Sequence, residues 1–414
     1  MNFTPTRANC SYVISNILAS RYASTMTTQH PFTLLDIERE LTQEQREIQS
    51  VTRKYVVDRI KPNIAQWFES GNLPLTELAK ELGEVGLLGM HLEGYGCAGT
   101  DATSYGLACM EIEAGDSGLR SLVSVQGSLA MFAIHAYGSE EQKQEWLPQM
   151  ASGDAIGCFG LTEADHGSNP SGMITTAKKD GGDWIINGSK MWITNGGVAA
   201  VAVIWARSDE GIRGFVVPTN TPGFSTNEIK HKLSLRASVT SELVFTDMRL
   251  PDSARLPLAT SLRAPLMCLA EARYGIIFGA VGAARDCFEV ALNYASTREQ
   301  FDGPISRHQL TQGKLAQMAT KLNTAMLLAL HLGKLKDAHE IKPAQISMGK
   351  FNNVNGALEI ARDARSILGA AGITSEYSIF RHMSNLETVL TYEGTHEIHA
   401  LVIGEALTGI AAYR

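Results

Sequence analysis

The sequence predicts an α+β chain that is mostly α, in the order helical domain, antiparallel β domain, helical domain. Three observations predict it. Apolar residues recur at helical spacing on both sides of a central stretch. Across about 157–251 the texture changes to short runs of period-two alternation separated by turn residues. No repeated β-α alternation occurs, which argues against a doubly wound sheet. The 414 residues exceed what one hydrophobic core usually serves, and they divide into an extension over 1–40, open to disorder, and domains over 41–156, 157–260 and 261–414.

The first 35 residues hold no Asp or Glu but carry Arg7, Arg21 and several serines. Two readings stand: a mitochondrial presequence, with the protein in the mitochondrial matrix, or a true start at Met26 in a cytoplasmic bacterial protein. Helix begins after Leu41, where Thr42 and Gln45 have the spacing of a capping box, Ile48, Val51 and Tyr55 share a face, and Pro62 interrupts. Further helices are expected over 75–89, 105–114 and 124–137, then a capped one ending near Gly153. In the β region Asn187-Gly188 separates WII from KMWIT and predicts a hairpin, as the turn over 208–211 does for VAVIWAR and IRGFVVP. SELVFTDMRLP closes the region near Pro251. Long helices are expected over 269–296, 309–338 and 342–368, and a last one over 395–411.

Composition narrows the function. Charged residues are 19% and hydrophobic ones 44%, a packed globular mix. A net charge of −7 with no basic run excludes nucleic acid as a partner. Apolar runs such as 198–206 are too short to span a bilayer. Six cysteines lie far apart without a CxxC pair, so they read as buried thiols in a reducing compartment, with no disulfide framework and no metal site.

Three familiar patterns fail in context. Gly94, Gly96 and Gly99 spell GxGxxG, but they follow a helix and no βαβ unit surrounds them. His396 and His399, with Glu397 between, are three apart where HExxH needs four, and no third ligand suggests itself. Gly115-Asp116-Ser117-Gly118 lacks the second glycine of a nucleophile elbow.

Four segments remain, ordinary alone and specific together. CFGLTEADHGSNP runs a strand into a Gly/Ser loop whose amides and hydroxyls suit a polar cofactor edge. KMWITNGG places Trp192 and Thr194 on one side of a strand, where an indole covers either an aromatic ring or a core. TREQFDGPISRHQL sets Arg298, Gln300 and Phe301 at a helix end, a phosphate contact or a solvated turn. TYEGTHEIHALVIGEALTG puts Glu393 before Gly394 and Thr395 at a helix start.

In this order and at these separations the four segments resemble the acyl-CoA dehydrogenase family from about Leu41 to the C-terminus. GYGCAG, DSGLRSLVSVQGSLAM, GCFGLTE, SLRAS, EARYGI and TYEGTHEIHAL resemble its glutaryl-CoA-oxidising branch, the bacterial members above all, which favours Met26 as the start. The resemblance implies an N-terminal helical domain, a middle β domain and a C-terminal four-helix bundle, assembled as a homotetramer with FAD between subunits. It assigns the catalytic base to Glu393. Members that carry the base on the other helix would hold it at Ala272, so neighbouring Glu271 is expected to point elsewhere. Flavin contacts carried over are Phe159, Leu161, Thr162, Ser168, Trp192 and Thr194, with Thr395 and Glu397 after the base. Arg298, Phe301 and Gln309 match positions at the FAD of a neighbouring subunit, Gln300 is a further expected FAD contact, and the stretch from Ser366 to Ala370 matches another FAD-contacting stretch, with LGAAG here where LGGNG is common. Asn169 and Asp302 are further departures.

Substrate identity turns on Arg120. Alone it reads as a helix-surface arginine paired with Glu113 or Asp116; within the resemblance, Glu113, Arg120 and Ser121 match the group that binds the distal carboxylate. Ser168, Arg273, Tyr392 and Gly394 are further expected substrate contacts. The implied reaction is dehydrogenation of glutaryl-CoA, decarboxylation to crotonyl-CoA and CO2, and electron transfer to electron-transfer flavoprotein. Alternatives are another short-chain or dicarboxylyl-CoA thioester, a non-decarboxylating glutaryl enzyme, an oxidase, or a binding protein that kept the fold without the chemistry.

Overall fold

The computed structural model describes residues 30–412. The presequence and Met26 readings lie outside the described residues. Residues 31–40, inside the expected extension, form two short 3-10 turns whose Phe32 and Ile37 are buried. Asn323 donates to the Pro31 carbonyl at 3.1 Å and Lys334 pairs with Glu40 at 2.7 Å, so this stretch packs on the C-terminal helices.

Among the described residues seven α-helices precede the sheet: α1 (Gln43–Tyr55), α2 (Ile64–Ser70), α3 (Leu75–Glu84), α4 (Ala102–Gly115), α5 (Ser117–Ser124), α6 (Phe132–Tyr137) and α7 (Glu140–Ala151). The capping boxes at Thr42–Gln45 and Ser139–Gln142 both form, each satisfying two amides that a helix start leaves open. The expected helix over 124–137 is instead α5 and α6 joined by a π-helical segment, Val125–Met131. Asp116 caps α5 by accepting from the Gly118 amide at 2.7 Å. The 94–99 glycines lie in turns leading to α4, with no strand before them.

The sheet runs β1 (Gly157–Gly160), β2 (Thr176–Asp180), β3 (Asp183–Thr194), β4 (Val201–Ser208), β5 (Gly211–Pro218), β6 (Phe224–Glu228) and β7 (Thr240–Pro251). Its order is β1-β4-β2-β3-β7-β6, with β5 against the other side of β4. The β4–β5 hairpin forms where expected, pairing Ser208 with Gly211. Two expectations fail. Asn187-Gly188 is not a hairpin but a bulge inside the long strand β3, and the hairpin turn lies earlier, between Asp180 and Asp183. Gly188 sits at φ +141, and a Cβ there would lie 2.6 Å from the Thr175 hydroxyl, so the glycine serves close strand approach. The sheet is also not purely antiparallel: β1 pairs with β4 in parallel, the chain running between them through the loop over 161–175 and the β2–β3 hairpin.

After the sheet come α8 (Arg263–Thr297), α9 (Gln309–Asp337), α10 (Pro343–Leu368), α11 (Ile379–Thr391) and α12 (His396–Thr408). Helices α8 to α11 form the bundle, and α12 lies on α10. By length and composition α8 alone among the described helices is apolar enough to cross a membrane, but most of it is buried within the protein. It packs against α4, which is buried from Thr103 to Gly115, so the N-terminal helices and the bundle share one apolar core.

Candidate active site

The turn between α11 and α12 carries Tyr392, Glu393 and Gly394. Glu393 sits at φ +52, a conformation rare for a side chain of its size, and Gly394 at φ +93. Thr395 then caps α12 by accepting from the Ile398 amide at 3.3 Å. The Glu393 carboxyl has a buried Oε2 with no hydrogen-bond partner among the described residues. Burial raises its pKa, against the pull of Arg120, Lys350 and Arg273.

Arg120 is fully buried, not on a helix surface as its isolated reading has it. Its Nε donates to Glu113 Oε2 at 2.7 Å, and Asp116 is engaged instead by Arg381 at 3.1 Å. Glu113 also accepts from Ser117 Oγ at 2.8 Å. Gly279 on α8 makes room for the pair, since a Cβ there would lie 2.0 Å from Glu113 Oε2. Arg120 Nη2 donates to the Tyr392 hydroxyl, which also lies 3.1 Å from Ser121 Oγ. Arg120 Nη1 is buried without a hydrogen-bond partner among the described residues. An unpartnered guanidinium nitrogen and an unpartnered carboxylate oxygen therefore lie within electrostatic reach of each other and of Tyr392. Orphaned buried groups of this kind cost stability, and two of opposite charge within electrostatic reach mark a ligand site.

Arg273, expected at the substrate, donates through Nε to the Glu393 carbonyl at 2.6 Å. Ala272 is buried and Glu271 is held away by Lys336 at 2.7 Å, so Glu393 has no rival carboxylate from that helix. His399 bonds Ser347 Oγ at 3.1 Å and His396 stacks on Phe351; no metal cluster exists among the described residues.

The expected flavin contacts fall into two sets. On the sheet side, Phe159 and Leu161 are buried, Phe159 against Trp205. Trp192 stands 59% exposed at φ +65, on a second irregularity of β3, between Lys190 and Ile193. The Met191 amide donates to the Thr162 carbonyl at 2.8 Å, which ties β3 to the loop carrying exposed Ser168. The hydroxyls of Thr162 and Thr194 carry no hydrogen bond from other described residues. An exposed indole beside open hydroxyls and amides fits a planar aromatic ring with a polar edge. On the bundle side, Arg298, Gln300, Phe301 and Gln309 are all exposed at the connection from α8 to α9, Phe301 at 87%. Ser366 takes a hydrogen bond from Lys314 at 2.6 Å, and Ala370 and Glu397 are exposed. No hydrogen bond, ion pair or ring contact joins the bundle set to Trp192 among the described residues.

Sequence reasoning missed two cations. Lys190 is fully buried, donating to Glu163 at 2.7 Å and to the Leu161 carbonyl at 3.2 Å, which pins the loop after β1. Lys350 is also buried and donates to the carbonyls of Tyr392 and, at 2.6 Å, Gly394. The signal for Lys350 was its place on the stripe of Ile346, Asn353, Val354 and Ala357, which α10 buries.

A curled sheet between helical domains, with a buried carboxylate at a bundle turn, defines a flavin-dependent acyl-CoA dehydrogenase. The chain belongs to that family: its N-terminal domain model matches residues 42–154, its middle domain 158–248 and its C-terminal domain 262–408. The human mitochondrial short-chain specific acyl-CoA dehydrogenase is 35% identical over 382 residues, 91% of this chain and 92% of that protein. A crystal structure of glutaryl-CoA dehydrogenase from Mycobacterium smegmatis matches with a TM-score of 0.92 at 66% identity, covering 93% of this chain and 100% of that one. A second structure of a glutaryl-CoA dehydrogenase from that organism, in complex with FADH2, matches at 64% identity and a TM-score of 0.92, covering 94% and 100%.

Proposed function

We propose that this chain dehydrogenates glutaryl-CoA with FAD as its cofactor, decarboxylates the product to crotonyl-CoA and CO2, and delivers electrons to electron-transfer flavoprotein as a homotetramer. The observation that carries the substrate is the Nη1 of a fully buried Arg120, unpartnered among the described residues, within electrostatic reach of the likewise unpartnered Oε2 of Glu393. A carboxylate satisfies the Arg120 nitrogen, and an acidic carbon positioned at the Glu393 oxygen gives up its proton. The 66% identity to a glutaryl-CoA dehydrogenase supports the same reading.

FAD, when bound, supplies the hydride acceptor. Thr162, Ser168, Trp192 and Thr194 would hold it on the sheet side, and Arg298, Gln300, Phe301 and Gln309 would reach it from a neighbouring subunit, which accounts for their exposure in one chain, with Ser366 and Ala370 as further contacts. Glu393 removes the α proton; its raised pKa brings the carboxylate closer to the basicity this needs. The Glu393 amide donates to the thioester oxygen, which stabilises the charge that develops there. Arg120, held by Glu113, grips the distal carboxylate until it leaves as CO2, and Glu393 holds a proton for return to the product. Tyr392 orients the guanidinium and walls the site.

The test is anaerobic mixing of the FAD-loaded protein with glutaryl-CoA and, separately, butyryl-CoA, following flavin bleaching and then CO2 with an artificial acceptor. Bleaching and CO2 with glutaryl-CoA alone support the proposal. Bleaching without CO2 leaves a non-decarboxylating enzyme, and bleaching with butyryl-CoA alone discards the dicarboxylate.

A further inference from the structure

Three consecutive carbonyls around Glu393 are held by two cations, Lys350 buried and Arg273 half-buried. Lys350 on α10 donates to those of Tyr392 and Gly394, and Arg273 on α8 donates to that of Glu393 itself. A left-handed backbone at a residue as large as glutamate persists only where its surroundings over-determine it. A Cβ on Gly394 would lie 2.9 Å from the His399 ring, so the turn is also enclosed from α12. Burying a lysine without a carboxylate hydrogen-bonded to it is costly, and Lys350 is 1% exposed with carbonyls as its hydrogen-bond partners.

We propose that Lys350 is a positioning residue for the base: its ammonium locks the 392–394 turn in the conformation that presents Glu393. Its charge also favours the ionised form of that carboxyl. The inference rests on Glu393 being the base. The groups that face Glu393 are Arg120 from α5, Glu113 from α4, Arg273 from α8 and Lys350 from α10, with His399 of α12 on its backbone. Burial keeps His399 neutral, at about 3, so it adds no charge near neutral pH. Arg120 and Arg273 are fixed cations, and burial lowers the Lys350 ammonium to about 7, so through the acidic limb Lys350 is the charged neighbour that a neutral substitution removes without touching the substrate's carboxylate site.

The experiment is the pH profile of kcat and kcat/KM for glutaryl-CoA oxidation by FAD-loaded protein with an artificial acceptor. Lys350→Met is expected to move the acidic limb to higher pH by about one unit or more, because removing a positive charge raises the Glu393 pKa, and to lower plateau kcat about tenfold with KM little changed. If the Met variant does not retain FAD, Lys350→Gln, which keeps amide donors and drops the charge, is read in its place. Lys350→Arg keeps the charge and is expected to hold the limb near its original position. An unmoved limb in the neutral variants, or an Arg limb displaced as far as theirs, overturns the proposal. Glu393→Gln separates the two readings: near-normal turnover removes the base assignment and this inference with it, whereas a dead Glu393→Gln with an unmoved Lys350→Met limb removes this inference alone.

Discussion

Arg120 offers the sharpest test of substrate choice, because the structure shows what its removal does to its neighbour. Arg120 and Glu113 are both fully buried, with Nε and Oε2 2.7 Å apart. Arg120→Ala leaves the Glu113 carboxylate buried with Ser117 as its remaining hydrogen-bond donor. Breaking one side of a buried pair costs about 3–5 kcal/mol, enough to depress every activity and hide a substrate effect. The informative variant is therefore the double one, Arg120→Met with Glu113→Gln, which removes both charges at similar volume and is expected to keep near wild-type stability. A lost hydrogen bond to a charged group is worth about 1.5–3 kcal/mol, so the ratio of kcat/KM for glutaryl-CoA over butyryl-CoA should fall by about ten- to a hundredfold. Each variant is assayed on its own pH plateau, because Arg120 also lowers the Glu393 pKa. Equal losses on both substrates would refute the reasoning and make Arg120 structural.

Trp192 is exposed and bears little load in the apoprotein, so Trp192→Ala should leave apoprotein melting nearly unchanged while weakening FAD binding about tenfold in a fluorescence titration; unchanged affinity moves the flavin elsewhere. Gly188→Ala forces a Cβ against Thr175 at a left-handed φ and should cost about 1–3 kcal/mol in urea unfolding. Burial pushes the Glu111 carboxyl up, but Arg285 and Arg53 outweigh it and hold it at about 2. A depressed folded pKa contributes stability above the unfolded value near 4.5 that is lost as pH falls toward 2. Acid unfolding should therefore steepen in that window, and Glu111→Gln should flatten it; an unaltered acid limb in the variant would discount the network.

The residues that sequence reasoning placed well are those whose role is local. Thr42 and Ser139 reach amides three residues away, so their spacing alone predicts the caps that form. The β4–β5 hairpin is likewise decided within two residues of its turn. Asn187-Gly188 shows the limit: the dipeptide is the same in a hairpin and in a bulge, and what decides is Thr175 packing against Gly188 from thirteen residues back. The parallel pairing of β1 with β4 joins residues more than forty apart, beyond any local signal.

The candidate site divides along the same line. From the sequence come the order of helix, sheet and bundle, and the turn that places Glu393 ahead of a capped helix, because periodicity and capping are properties of neighbouring residues. Only the tertiary structure decides that Arg120 is buried rather than on a surface, that Arg273 serves the Glu393 backbone, and that Lys350 lies beneath the turn. Burial and charge pairing arise between α4, α5, α8, α10 and the turn after α11, segments that meet only when the chain is packed.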